Sequence, residues 1–341
     1  MEWRKGNTNM VEIFGTLGPA CCERGLLKEM FRRGMDGMRL NLSHTTLADA
    51  ADMLEAFRLA AEDAGKKPEL LIDMQGPELR VSKPQAPVKL KEGETCILSC
   101  ASEGDLRIPA PVFEALETGD TVLIDDGRIE CVCESKNESA VTVRVIRGGT
   151  VSERKSIKIT GKDIHGPVLT EDDLKNLREA EKYGVTAVMQ PFVTQGSQLR
   201  EVRDVLHAYG LDDIRIFAKI ESREGISLLD EIMPEADMIV IARGDLGNDM
   251  PLWELPKAQK VIEDRCIAAG KPFLVVTQML ASMTDSPVPT RAEVSDIFRA
   301  VYEGASAVMV TNETAVGKYP AEVIRYLKNT ADSALEYIEN R

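Results

Sequence analysis

Residues 237–245 read DMIVIARGD, and this stretch decides the fold. Every side chain from Met238 to Ala242 is apolar, whereas a strand with one solvated face would alternate apolar and polar residues. The run therefore predicts a strand that is buried on both faces, as in a parallel sheet covered by helices. The polar residues that follow, Arg243 to Asp245, would then lie at the carboxyl end of this strand.

Seven further stretches follow the same pattern, and an amphipathic helical pattern comes after each. They are VEIFGTLG (11–18), GMRLNLSH (37–44), ELLIDM (69–74), TAVMQPFV (186–193), IRIFAKIES (214–222), PFLVVTQM (272–279) and SAVMVTNE (306–313). In EKYGVTA and VYEGASA, Gly184 and Gly304 stand between helix and strand and predict left-handed helix ends. Eight such units predict a closed parallel (β/α)8 barrel, the TIM barrel of the α/β class.

The spacing of these units is interrupted once, between the third and fourth strands. The intervening sequence alternates apolar and polar residues and contains turn signals such as DDG (125–127), as antiparallel strands do. We therefore expect three segments: barrel at 1–81, an inserted small β-barrel domain at 82–163, and barrel again at 164–341. Because an insertion after a barrel strand lies near the active-site end, we expect it to act as a lid. An insertion without a catalytic role is the alternative.

Composition excludes several classes of function. The chain has 341 residues, of which 43% are hydrophobic, and a net charge of -14. This charge argues against nucleic acid and against an anionic membrane surface as partners. No signal-peptide core and no run of about 18 apolar residues occurs, so a soluble, cytoplasmic protein is predicted. The seven cysteines lack the spacing of a zinc site, and we expect reduced thiols.

Polar side chains gather at the carboxyl ends of the predicted strands, which face one mouth in a barrel. Strand by strand they are Arg39, Asn41, Ser43 and His44; Asp73, then Glu78 and Arg80; Lys219 and Glu221; Arg243 and Asp245; Thr277 and Gln278; and Thr311, Asn312 and Glu313. Lys219 and Glu221 are two positions apart on a strand and point the same way. Such a charge pair is costly in a core and useful in a site.

Glu221 and Asp245 follow adjacent strands and predict a metal site. Their hard oxygen atoms suit Mg²⁺ or Mn²⁺ with positions open for substrate and water. Lys219 would neutralise an anion bound to the same ion, and RGDLG (243–247) offers backbone N–H groups at a strand-to-helix turn. These parts suit a phosphorylated carboxylic acid and phosphoryl transfer. The alternative is a pair of solvated loop carboxylates.

A second oxygen-rich cluster comprises Arg39, Asn41, Ser43 and Asp73. Arg39 can pair with a phosphate, and the other three could hold a monovalent cation. Asn and Ser at a strand end are also common turn and cap residues, so both interpretations stay open.

The quoted motifs together resemble the pyruvate kinase family over nearly the whole chain. The resembling stretches are GTLGPA (15–20), GMRLNLSH (37–44), LIDMQGPELR (71–80), LIDDGRIE (123–130), FAKIESREG (217–225), IVIARGDLG (239–247), AGKPFLVVTQML (269–280), PTRAEVSDI (289–297) and NETAVGKYP (312–320). The resemblance implies the glycolytic transfer of phosphate from phosphoenolpyruvate to ADP, which gives pyruvate and ATP.

The resemblance also implies roles for single residues. Lys219 would stabilise the phosphoryl group in flight, Arg39 would contact the transferred phosphate, and Thr277 would bind substrate near the enolate that is protonated. Further substrate contacts would come from Gly244, Asp245 and Thr311. The ligands of Mg²⁺ (or Mn²⁺) would be Glu221 and Asp245.

The family's K⁺ site would fall on Asn41, Ser43, Asp73 and the backbone of Met74. Glu78 stands where K⁺-dependent members have glutamate, so activation by K⁺ is predicted. The nucleotide, ADP or ATP, would be bound by Asn41, His44, Arg80 and Lys155. Asp126 and Lys155 resemble the lid residues that close over nucleotide and metal.

Two alternatives stay open, the first because of departures from the family pattern. Asn312 and Thr45 replace glycines, and the lid segment RKSIKITG (154–161) has diverged. A catalytically weak or silent relative that still binds phosphoenolpyruvate is one alternative. A Mg²⁺-dependent pyruvate-enolate aldolase is the other, although it would not need Lys219 or the K⁺ cluster.

The sequence ends after the last predicted helix. We therefore expect a short form that lacks the family's usual C-terminal domain, without effector control through that domain. A homodimer through barrel helices is compatible with the sequence.

Overall fold

The computed structural model describes residues 10–77, 79–82, 84–101, 104–125, 127–152, 155–162, 164 and 166–341. The chain divides into two compact units, Met1–Gln75 with Leu169–Arg341 and Gly76–Val168. The predicted insertion, residues 82–163, lies within the second unit, while its boundaries stay a prediction. No helix within the described ranges combines the length and the apolar character that a membrane crossing requires.

The strands are numbered along the whole chain. They are β1 (Glu12–Thr16), β2 (Gly37–Asn41), β3 (Glu69–Asp73), β4 (Val88–Leu90), β5 (Thr95–Ser99), β6 (Leu106–Arg107), β7 (Thr121–Ile124), β8 (Ile129–Lys136), β9 (Ala140–Arg147), β10 (Gly149–Val151), β11 (Ile157–Ile159), β12 (Ala187–Gln190), β13 (Arg215–Ile220), β14 (Met238–Ala242), β15 (Phe273–Val276) and β16 (Ala307–Met309).

The helices are numbered in the same way. They are α1 (Arg24–Arg32), α2 (Ala51–Asp63), α3 (Ala110–Ala115), α4 (Glu171–Glu179), α5 (Gly196–Ala208), α6 (Arg223–Ser227), α7 (Leu229–Ile232), α8 (Arg243–Asn248), α9 (Leu255–Ala269), α10 (Arg291–Tyr302), α11 (Asn312–Ala315) and α12 (Pro320–Glu339). Short 3-10 helices span Pro19–Cys21, Met233–Glu235, Leu252–Glu254 and Ala281–Thr284.

The first unit contains a closed eight-stranded barrel with the strand order β1-β16-β15-β14-β13-β12-β3-β2. Each strand pairs in parallel with both of its neighbours. This arrangement confirms the predicted (β/α)8 barrel. The left-handed helix ends are confirmed too, since φ is 71° at Gly184 and 114° at Gly304.

The barrel is closed by apolar packing that the strand sequences dictate. All five residues of β14 are buried, as the run from Met238 to Ala242 predicted. Burying one such side chain contributes about 1.5–3 kcal/mol. One cluster of buried residues unites the strands and comprises Phe14, Leu71, Ala187, Met189, Phe217, Met238, Val240, Ala242, Leu274, Val276, Ala307 and Met309.

The second unit is built from β-strands, as predicted from the alternating sequence. Among its described residues, β11-β7-β8-β9-β5-β6 form one sheet and β10-β4 another. Burial alternates along β7 and the first half of β9, and the buried side chains form a separate core around Val122, Cys131 and Val143. Asp125 and Gly127 have φ values of 56° and 77°, as the DDG turn signal favours. Barrel closure and a lid role for this unit stay predictions.

Candidate active site

The ends of β2 and β3 bring a cation and an anion together. Arg39 lies on β2, and Asp73 ends β3 directly opposite Asn41. The Arg39 Nε and Nη2 atoms lie 2.8 and 2.7 Å from Asp73 Oδ2. Arg39 Nη1 also donates to Thr16 Oγ1 at 3.4 Å. Because Asp73 is only 2% exposed, this pair fixes the guanidinium within the barrel.

Lys219 on β13 connects this pair to a second carboxylate. Its Nζ lies 3.3 Å from Asp73 Oδ1 and 3.0 Å from Glu221 Oε1. Lys219 and Glu221 therefore share one face of their segment, as their spacing predicted. Burial alone would lower the pKa of Lys219, but Asp73 and Glu221 raise it above its usual value, so the ammonium stays charged.

The pKa values of the two carboxylates are shifted in opposite directions, although burial alone would raise both. Burial alone would raise the pKa of Asp73, but Lys219 and Arg39 lower it below its usual value. Burial and, to a lesser extent, the negative charge of Asp245 raise the pKa of Glu221 to about 7 against the effect of Lys219. Lys219 and Arg39 thus stabilise the charged form of Asp73, whereas burial and Asp245 destabilise the charged form of Glu221.

A backbone amide orients Glu221. The N–H of Phe192, which follows β12, donates to Glu221 Oε2 at 2.8 Å. Phe192 has a φ of 51°, in the left-handed region that non-glycine residues rarely adopt. Such a conformation costs about 1–3 kcal/mol and persists only where its surroundings hold it. The carboxylate is therefore aimed by a strained turn of the neighbouring strand.

Glu221 and Asp245 fit a divalent cation. Burial is the main cause of the raised pKa of Glu221, and repulsion by Asp245 adds to it; a bound cation would stabilise the charged form of both carboxylates. Throughout the described ranges, no group of three or more His, Cys, Asp and Glu is arranged to hold a metal. A pair is sufficient for Mg²⁺, which commonly binds one or two carboxylates and takes its other ligands from water and phosphate.

The residues predicted to hold K⁺ lie on the neighbouring ends of β2 and β3. Asp73 Oδ1 is buried and has no hydrogen-bond partner within the described ranges, although Lys219 Nζ lies 3.3 Å away. Asn41 Oδ1 accepts the N–H of Ser43 at 3.1 Å and closes an Asx turn. The buried carboxylate of Asp73 and the oxygen-rich turn beside it offer the kind of oxygen ligands that a monovalent cation takes.

A second strained turn follows β15. Thr277 and Gln278 have φ values of 80° and 55°. Arg243 donates to the Thr277 carbonyl from Nη2 at 2.7 Å and from Nε at 3.2 Å. The Thr277 side chain lies against Gly244, because a Cβ added there would come within 3.3 Å of Thr277 Cγ2. The turn after β15 is thus packed against the start of α8.

Glu313 ties the ends of β15 and β16 together. Its Oε2 accepts the N–H of Thr311 at 2.7 Å and the Thr311 hydroxyl at 3.2 Å. Its Oε1 accepts the N–H of Leu280 at 3.3 Å. Asn312 is exposed and begins α11 without disturbing these contacts.

The family model described as the pyruvate kinase barrel domain matches residues 8–324. The chain belongs to the pyruvate kinase family. A pyruvate kinase of Aeropyrum pernix is 38% identical over 325 residues, which cover 95% of this chain and 70% of that protein. That of Geobacillus stearothermophilus is 33% identical over 338 residues, which cover 97% of this chain and 58% of that protein. That of Methylorubrum extorquens is 37% identical over 328 residues, which cover 94% of this chain and 68% of that protein. The chain thus spans roughly three fifths to seven tenths of these relatives' lengths.

The barrel brings several of the predicted site residues of this family member together. Arg39, Asp73, Lys219 and Glu221 form one connected ion cluster. Asp245 acts electrostatically on Lys219 and Glu221. The other predicted barrel residues lie at or just beyond the carboxyl ends of strands: Asn41, Ser43, His44, Met74, Gly244, Thr277 and Thr311. Their functional roles stay predictions.

The remaining predicted residues belong to the second unit. Arg80 forms a β-bridge with Ser156, and Lys155 Nζ lies 3.0 Å from Asp125 Oδ1. Glu78 and Asp126 lie outside the described residues. The roles assigned to these four positions in nucleotide, lid and K⁺ function stay predictions.

Sequence reasoning missed several contacts that shape the site. The Phe192 N–H left no signal, because a backbone donor is the same in every residue but proline. Glu313 was noted at a strand end without a role. Asp296, whose Oδ2 accepts from Arg243 Nη1 at 2.7 Å, lies in the quoted motif PTRAEVSDI, and that motif was the available signal.

Proposed function

We propose that the protein transfers the phosphoryl group of phosphoenolpyruvate to ADP and releases pyruvate and ATP. The observation that carries this proposal is the buried ion cluster in which Arg39 and Lys219 share Asp73. Two cations fixed on one carboxylate, beside a carboxylate pair suited to Mg²⁺, form a receptor for a compact dianion. Family membership supports the same reaction.

In this reaction the bond between phosphorus and the enol oxygen breaks, and a bond from a terminal oxygen of ADP to phosphorus forms. The phosphoryl group carries its charge on three oxygens, so catalysis depends mainly on positioning and on fixed positive charge. Arg39 and Lys219 would supply that charge, since their ion pairs hold both groups in place before substrate arrives. Mg²⁺ at Glu221 and Asp245 would supply further charge and align the transferred oxygens.

The enolate left after transfer gains a proton at its terminal carbon and becomes pyruvate. Thr277 is the residue we assign beside this carbon, with Thr311 as a further substrate contact. Thr277 is held through its carbonyl by Arg243, and Thr311 is held by Glu313. Both hydroxyl-bearing residues are therefore anchored through their backbones, which fixes where their side chains begin.

The other assignments rest on the family pattern. We assign K⁺ to Asn41, Ser43, Asp73 and the Met74 backbone, with activation expected from Glu78. We assign ADP or ATP to Asn41, His44, Arg80 and Lys155. A cytoplasmic location and a homodimer through barrel helices belong to the same proposal.

The experiment measures pyruvate release from phosphoenolpyruvate and ADP with Mg²⁺, with and without K⁺. Lys219→Met removes the ammonium and keeps a side chain of similar length. We expect its kcat to fall by roughly 10³-fold, since a buried charge that acts in the transition state is lost. Lys175→Met is the control, because Lys175 is exposed and pairs with Asp172 on its own helix.

The result also separates the two alternatives. Absence of turnover in the wild type, with phosphoenolpyruvate still bound, would favour a silent relative. Pyruvate release by cleavage of an aldol into pyruvate and an aldehyde, without ADP, would favour an aldolase. The intact contacts of Thr311 around the exposed Asn312 support the kinase over the silent relative.

A further inference from the structure

The turn after β15 adopts a conformation that its sequence disfavours. Thr277 is β-branched and has a φ of 80°, and Gln278 follows with a φ of 55°. A β-branched residue with positive φ is an outlier, because its Cβ crowds the backbone. Two successive non-glycine residues with positive φ keep their conformation only if their surroundings hold them. What holds them is therefore part of how the site works.

One guanidinium holds this turn. Arg243 donates to the Thr277 carbonyl from Nη2 at 2.7 Å and from Nε at 3.2 Å. Its Nη2 also lies 3.0 Å from Met279 Sδ. Its remaining terminal nitrogen, Nη1, donates to Asp296 Oδ2 at 2.7 Å. The planar fork of arginine makes this three-sided contact, which a lysine ammonium cannot reproduce.

Asp296 is itself fixed with respect to the turn. It lies on α10, whose first turn is closed by a capping box between Thr290 and Glu293. Glu293 also accepts the N–H of Ser282 at 2.7 Å and the Ser282 hydroxyl at 2.6 Å. Because Ser282 lies soon after Leu280 in the chain, α10 is anchored to the same segment that carries Thr277. The Arg243 side chain is only 12% exposed and that of Asp296 is 35% exposed, so the guanidinium is largely buried and the carboxylate lies nearer the surface.

We propose that Arg243 and Asp296 are positioning residues that hold the Thr277 turn in its strained form and so place the Thr277 hydroxyl beside the reacting enolate. An ion pair that served only to join α8 and α10 would not need two bonds to the Thr277 carbonyl. The inference rests on the proposed function, because that function assigns Thr277 to the substrate.

The guanidinium can also be reached from solvent. A cavity of about 320 Å³ lies beside it and is lined by Arg243, Gln278, Asp296, Arg299, Lys260 and Glu263 among others. Removing the Arg243 side chain would extend this cavity up to the Thr277 carbonyl. A guanidinium ion added to the solution then has a route to the vacated position.

The test uses Arg243→Lys, Arg243→Ala and Asp296→Asn in the full chain. Arg299→Ala is the matched control, since it removes an exposed guanidinium from the same cavity wall and leaves Thr277 untouched. We expect kcat to fall by about 10- to 100-fold in the first three variants, with the KM for ADP nearly unchanged. Millimolar guanidinium ion should raise the kcat of Arg243→Ala and leave that of Arg243→Lys unchanged.

Amide hydrogen exchange of residues 277–280 supplies a readout that does not depend on turnover. We expect faster exchange there in the three variants and wild-type exchange in Arg299→Ala, because releasing the clamp lets the turn relax. Wild-type exchange in Arg243→Lys and Asp296→Asn would overturn the inference, and so would an equal loss of kcat in Arg299→Ala. If the wild type shows no turnover, the proposed function fails, and the exchange pattern alone still decides whether the clamp exists.

Discussion

Lys219 and Glu221 form a buried ion pair between two side chains of one segment, with Nζ 3.0 Å from Oε1. Asp73 shares the same ammonium at 3.3 Å. Within the described part of the chain, Lys219 is thus the only cationic side chain that forms a salt bridge with both carboxylates. Its removal would take this salt bridge from Glu221, while Asp73 would keep its contacts with Arg39.

We predict that Lys219→Met lowers the free energy of unfolding of the metal-free protein by about 3–5 kcal/mol, because it removes the salt-bridge partner of the buried Glu221. Urea unfolding measures this loss. The double variant Lys219→Met with Glu221→Gln should recover part of it, since the side chain that lost its salt-bridge partner is then neutral. Strictly additive losses in the two single variants and the double variant would contradict the coupling.

The raised pKa of Glu221 predicts a pH-dependent stability without metal. A carboxyl whose pKa rises on folding contributes fully below its usual pKa of 4.5, and the contribution is lost as pH rises through about 7. Relative to Glu221→Gln, the wild type should therefore lose about 3 kcal/mol between about pH 5 and about pH 8. Urea unfolding at each pH measures the difference. Mg²⁺ should abolish the loss, and parallel pH curves for the two metal-free proteins would refute the prediction.

The sequence predicted those parts of the site that follow from one strand at a time. The run at 238–242 required burial on both faces, which a barrel provides, and spacing alone placed Lys219 beside Glu221. The sharing of Asp73 by Arg39 and Lys219 depends on the register between β2 and β3 and on where β13 lies in the barrel. Neither the register of β2 and β3 nor the place of β13 in the barrel can be predicted from a single run of residues.

Other features were beyond sequence reasoning for a different reason. The positive φ of Phe192 and Thr277 contradicts local preference, because neither residue type favours the left-handed region. Tertiary contacts hold these conformations. Glu221 accepts the N–H of Phe192, and Arg243 donates to the carbonyl of Thr277. Residues at a site often break local rules, so local rules cannot find them.

Gly244→Ala tests the packing of Thr277. The added Cβ would lie 3.3 Å from Thr277 Cγ2 and 3.6 Å from its Oγ1, and the Arg243 clamp limits how far the threonine can yield. We expect kcat to fall by about 10- to 100-fold, with little change in unfolding free energy, since a small displacement near reacting groups acts mainly on rate.

The matched control is Gly247→Ala on the same helix, where the new Cβ would meet Leu255 Cδ2 at an ordinary 3.5 Å. Steady-state kinetics of both variants make the comparison. Equal rates for Gly244→Ala and the wild type would show that the space beside Thr277 is not critical.

Asp73→Asn tests the assignment of K⁺. The variant keeps the size of the side chain but removes the charge that faces Arg39, Lys219 and the proposed cation, so turnover should fall and its stimulation by K⁺ should vanish. The ratio of turnover with K⁺ to turnover with tetramethylammonium measures this. Asp36→Asn is the control, since Asp36 precedes the opposite end of β2 and accepts the N–H of Ile13 at 2.9 Å. Undiminished K⁺ stimulation in Asp73→Asn would place the monovalent cation elsewhere.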